Sequence, residues 1–147
     1  MTATVSTARK TGRKAGYVIL AALNTAMLVA INVTPGWRSV DVLTPSTSEI
    51  IGWVNLLLAF GLAVNVLYSA YDPLWLLDLG DLATSALGLA ALIQIWKVFP
   101  FDFSGWPGDW GQIARLVLIV AIVGTVIAIP LQVIGLVRHL AGTEEDK

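Results

Sequence analysis

Apolar residues gather along this chain in four long blocks, separated by polar segments rich in Pro and Gly. The blocks cover residues 16–33, 50–70, 79–99 and 113–136. A helix that spans a bilayer needs about 20 mostly apolar residues. In lipid every backbone polar group must be paired internally, so the blocks predict helices and not isolated strands. The expected fold is an all-α integral membrane protein, a four-transmembrane-helix bundle of two tandem hairpins in parallel orientation. The domain layout is a basic N-terminal tail over 1–14, a four-span domain over 15–140 and a polar tail over 141–147 that reads as disordered.

Local signals place the helix ends. Ser46 with Glu49 three residues on has the pattern of a capping box for the second span. Asp109 with Gln112 is a looser version ahead of the fourth. Asp72-Pro73 reads as an N-cap followed by Pro at the first helical position. The third helix then extends over 73–99, and Pro130 falls inside the fourth. Val33-Thr34-Pro35 matches Val98-Phe99-Pro100, and Ile50 and Gly61 align with Ile113 and Gly124. These matches suggest a hairpin duplication, and chance similarity between apolar segments explains them equally well.

Composition sharpens the picture. Hydrophobic residues make up 56% of the 147 and charged residues only 13%, about half the usual charged share of a soluble domain. Soluble enzymes, nucleic-acid binders and disordered proteins are disfavoured. The net charge of −1 offers no basic excess for phosphates. With no Cys and one His, thiolate metal sites, cysteine nucleophiles and a bis-histidine haem within one chain are excluded. No cofactor and no catalytic set is expected.

Orientation follows the Lys/Arg bias. With the N-terminus in the cytoplasm, Arg9, Lys10, Arg13, Lys14, Arg138 and Lys147 lie inside, and Arg38, Lys97 and Arg115 outside. Both termini are then cytoplasmic, in the cell membrane. The first apolar run is too long for a signal-peptide core, and Val33-Thr34-Pro35 is a poor cleavage site. Most Trp and Tyr residues fall near span ends, where they anchor at the headgroups.

Several groups could carry chemistry. Asp78 and Asp81, with Asn65, form a candidate polar or ion site, since carboxylates three apart share a helix face. The competing reading is ion pairing with Arg13, Lys14 or Arg138. Asn24, Asn32, Asn55 and Gln94 either cross-link helices or line a polar path. Gly80, Thr84 and Gly88, with Gly124 and Ala128, are small residues suited to close helix packing. Arg115 opposes the helix dipole at the start of the fourth span and needs a partner. Asp41, Glu49, Asp102 and Asp109 are available for a salt bridge. The alternative is an outer headgroup or partner contact made with Trp106 and Trp110. His139 reads as a solvated interfacial residue.

Span number and size are similar to those of small multidrug and fluoride transport proteins. The central glutamate of the first kind is absent, and no residue carries over from the second. The first functional expectation is a small non-enzymatic accessory, scaffold or assembly subunit. It would pack in the lipid bilayer as a homo-oligomer or within a larger membrane complex, without nucleic acid. The alternative is an oligomeric channel or transporter for a small solute or ion. A lipid-binding protein is a weaker alternative.

Overall fold

The four apolar blocks become four long helices in the computed structural model, which describes residues 2–145. Helix α1 covers Thr2–Asn32, α2 Thr47–Ala70, α3 Leu74–Val98 and α4 Trp110–Glu145. All four are long and apolar enough to cross a membrane. The chain is an all-α, multi-pass membrane protein folded as a four-helix bundle. At 1.5 Å per residue, α2 and α3 are each about 36–38 Å long, enough to cross a hydrocarbon layer of about 30 Å.

The helices run further than their apolar blocks. The basic segment expected as a tail is helical from Thr2 and continues into α1 without a break. Its Lys, Arg and Ala residues favour helix, and the span behind it removes the cost of nucleation. At the other end α4 continues past Gly142 to Glu145, where a disordered tail was expected. Asp146, Lys147 and Met1 lie outside the described residues.

Two expected caps are not made. Ser46 does occupy the N-cap of α2, but its hydroxyl makes no capping bond. It pairs with the Thr44 hydroxyl at 2.6 Å instead. Pro73, not Asp72, is the N-cap of α3, because Asp72 is drawn to Arg13 of α1 at 2.7 Å.

Packing follows chain order: α1 lies on α2, α2 on α3 and α3 on α4. Among the described residues α1 and α4 share no comparable interface, so the bundle is open on that side. One end carries the short turn at residues 71–73 and is called the turn end. The other carries two longer loops, over 33–46 and 99–109, which are stitched together. Leu43 and Phe101 form an antiparallel bridge. Thr44 N–H donates to the Pro100 carbonyl at 2.9 Å, and Asp102 N–H to the Val42 carbonyl at 2.8 Å. Pro100 is fully buried there.

The internal core is thin: Ala21, Ile50, Leu58, Tyr68, Ala91 and Leu118 are buried. Apolar side chains such as Leu116, Val120, Ile127 and Leu131 of α4 remain exposed, as expected where the solvent is hydrocarbon. The two hairpins do not pack alike. Ile50 is 4% exposed, and its aligned counterpart Ile113 is 48% exposed. Gly61 lies under the Asn24 amide, whereas Gly124 has nothing within 4 Å.

The tightest helix contact is between Tyr68 of α2 and Gly80 of α3. A Cβ on Gly80 would overlap the Tyr68 hydroxyl and lie 2.8 Å from its Cζ. The missing side chain lets Tyr68 Oη donate to the Leu77 carbonyl at 2.9 Å. Gly80→Ala gains up to about 1 kcal/mol of helix propensity, yet over-packing costs roughly 1–3 kcal/mol. Thermal unfolding in detergent should show a net loss of stability. An unchanged midpoint would mean that Tyr68 swings aside at no cost.

Candidate functional site

Helices α1, α2 and α3 line a groove of about 470 Å³ at the turn-end half of the bundle. Its α1 wall includes Tyr17, Leu20 and Asn24. The floor on α2 includes Leu58, Asn65 and Tyr68, and α3 adds Asp81 and Thr84. The cavity volume here is about 470 Å³. A second, almost wholly apolar hollow of about 420 Å³ lies between α2 and α3 around Phe60, Leu67 and Ala83. The first alone combines apolar walls with converging polar groups, the usual make-up of a ligand site.

Three of the polar groups are held by their own helix backbone. Asn24 Nδ2 donates to the Leu20 carbonyl at 2.9 Å, and Asn65 Nδ2 to the Gly61 carbonyl at 2.7 Å. Thr84 Oγ1 donates to the Gly80 carbonyl at 2.8 Å. Tyr17 and Tyr68 meet edge to face at 5.3 Å and close the turn end of the groove. The Tyr68 hydroxyl lies 3.5 Å from an Asp81 oxygen.

Asp78 and Asp81 are not brought to one site. Three residues along a helix are about 60° apart in projection. With α2 on one flank of α3 and α4 on the other, that difference sends the carboxylates in different directions. Asp78 turns to α4 and pairs with His139 Nδ1, above Gly135. Asp81 borders the groove. The expected pairing of Asp78 with Arg13, Lys14 or Arg138 is replaced by His139, which reads from the sequence as merely solvated. Arg13 serves Asp72. Asn65 therefore shares a site with Asp81 and Asn24, but not with Asp78.

The remaining amides divide. Asn32 and Asn55 exchange two hydrogen bonds, both 2.8 Å, and clamp α1 to α2. Asn32 also donates to the Leu28 carbonyl. Gln94 lies half-buried on α3, outside the groove lining. Among the small residues, Gly80 makes the close approach described above. Gly88 comes into ordinary contact with Leu57, and Gly124 meets nothing. Ala128 is half-buried.

At the loop end Arg115 finds aromatic faces instead of a carboxylate. Its guanidinium lies 4.0 Å from the Phe99 ring centre and 5.4 Å from that of Trp96. Phe99 is the left-handed C-cap of α3, which carries its ring back over α4. A chain of ring contacts continues through Phe101, Phe103, Trp106 and Trp110 at 5.4–6.1 Å. Trp106 and Trp110 are 51% and 41% exposed. The Ser104 backbone N–H, bonded to Asp102 Oδ1 at 2.9 Å, holds the Asp102 carboxyl below its usual range, with the Ser104 hydroxyl assisting.

No family profile, no characterised protein and no solved structure matches this chain.

Two measurements probe these contacts. A double-mutant cycle on Asn32→Leu and Asn55→Leu should give a coupling of about 0.6–1.7 kcal/mol, the range for bonds between membrane helices. A coupling of zero would remove the clamp. Asp78→Asn should cost less than about 1 kcal/mol, because the His139 side chain is 42% exposed and well screened. A loss several times larger would mark the pair as the main tie between α3 and α4.

Proposed function

We propose that this chain is a small non-enzymatic subunit of a larger membrane assembly, acting as an accessory, scaffold or assembly partner through helix packing. The open side of the bundle carries this reading. Helix α1 is packed chiefly on α2 and α4 on α3, so further transmembrane helices can sit between them. Gly124, with open space around it, provides a close-approach point on α4 of the kind membrane helices use. The partner is a second copy of the chain or a larger membrane protein. In the orientation set by the basic residues of α1, the turn end faces the cytoplasm.

A second reading is an oligomeric channel or transporter for a small solute or ion, and the groove beside Asp81 favours it. Lipid binding at Arg115 and the exposed Trp106 and Trp110 is a weaker third.

Native mass after extraction in mild detergent tests the subunit reading. The particle should exceed the 15.7 kDa of one chain by at least one further polypeptide. Gly124→Leu should shift it toward the single chain without lowering the midpoint of thermal unfolding. A particle of one chain plus detergent would refute the proposal. An intact assembly with Gly124→Leu would move the interface to another face.

A further inference from the structure

We propose that the groove between α1, α2 and α3 is a binding site for a small amphiphilic ammonium ion, with Asp81 as the counter-ion. The argument rests on which hydrogen-bonding groups the groove has left to offer. Thr84 and Tyr68 have one hydroxyl hydrogen each, and both are given to backbone carbonyls, of Gly80 and Leu77. The amides of Asn24 and Asn65 each commit an N–H to the carbonyl one turn earlier. Such a bond fixes the amide orientation, since only the nitrogen can donate to a carbonyl. Both amide oxygens are then left as acceptors, with no donor bonded to them among the described residues.

Asp81 adds a carboxyl group to this set, the one acidic side chain that lines the groove. The Tyr68 hydrogen goes to Leu77, so the 3.5 Å contact to Asp81 supplies no short donor. Arg13 is paired with Asp72 and His139 with Asp78, and no ion pair to Asp81 is formed among the described residues. What remains is a concave, acceptor-rich site with one acidic group, walled by Leu20, Leu57 and Leu58 and by the rings of Tyr17 and Tyr68. A carboxylate at this depth is costly unless paired or wet.

The occupant that fits must donate several hydrogen bonds, carry positive charge and have an apolar body. A primary ammonium on an aryl or alkyl group has all three properties, and aromatic faces attract cations. A cavity of about 470 Å³ lies within the range of small-molecule sites. A bare metal ion would leave the apolar walls unused. The ammonium can come from a free amine or from the ethanolamine headgroup of a lipid. This inference narrows the second reading above to one ligand chemistry, and it does not depend on the subunit reading.

The test uses the full chain in phosphatidylcholine nanodiscs, titrated with 2-phenylethylammonium and followed by calorimetry. Saturable binding is expected. The neutral isostere 2-phenylethanol should bind at least 10-fold more weakly, since a charge-assisted bond is worth about 10- to 100-fold in affinity. Asp81→Asn should weaken the ammonium by the same factor and leave the alcohol unchanged. Absence of saturable binding, or equal affinity for ammonium and alcohol, overturns the proposal without relying on any variant. Unaltered ammonium affinity in folded Asp81→Asn overturns it as well. Repeating the titration in phosphatidylethanolamine nanodiscs separates the sources. Competition identifies the lipid headgroup, and unchanged affinity identifies a free amine. Binding without flux in liposomes upholds the site and rejects transport.

Discussion

Tyr68 reaches α3 because Gly80 has no side chain to stop it, and much of the turn-end half depends on that contact. The hydroxyl lands on the Leu77 carbonyl at 2.9 Å, so a bulky polar ring is buried with its one donor satisfied. The ring then provides the edge on which Tyr17 of α1 rests. One side chain thus sets the spacing of three helices. It also fixes the rotation of α3, and that rotation directs Asp78 toward α4 and Asp81 toward the groove.

Polar residues within the spans contribute to this arrangement in an unexpected way. Counting amides in a hydrophobic sequence suggests a network of bonds between helices. Several polar side chains are instead satisfied at home. Asn24, Thr25, Asn65, Thr84 and Thr125 each donate to the carbonyl four residues earlier. In lipid such a bond removes the penalty of an unpaired donor without requiring a partner helix. The Asn32–Asn55 pair does cross between helices. A self-bonded amide still presents its oxygen, so local satisfaction of donors gives the groove its acceptor character.

The spans were legible because hydropathy responds to length and composition alone, and both are written directly in the chain. Gly80 as a packing residue was legible for the same kind of reason, since close approach selects small side chains. Partner identity was not. Asp78 meets His139 across 61 positions, and nothing near either residue marks the other. Arg115 lies within reach of acidic residues in sequence, yet the left-handed turn at Phe99 brings an aromatic ring closer. The bridge between Leu43 and Phe101 has no sequence signature, because one pair of backbone bonds leaves no periodic pattern. Tyr68 read as an interfacial anchor, since Tyr is common there and its glycine partner lies on another helix.

Three carboxylates lie within ten positions of the turn end, and their fates differ. Asp72 pairs with Arg13 of the first helix and Asp78 with His139 of the last. Asp81 lies one turn further along α3 than Asp78, and it has no ion pair among the described residues. Structural need alone would place an apolar residue or an amide at that position, because an unpaired charge in a membrane span is destabilising. The groove offsets the expense only when something wet or positive occupies it. Among the three carboxylates near the turn end, Asp81 is therefore the one that the fold leaves without an ion pair.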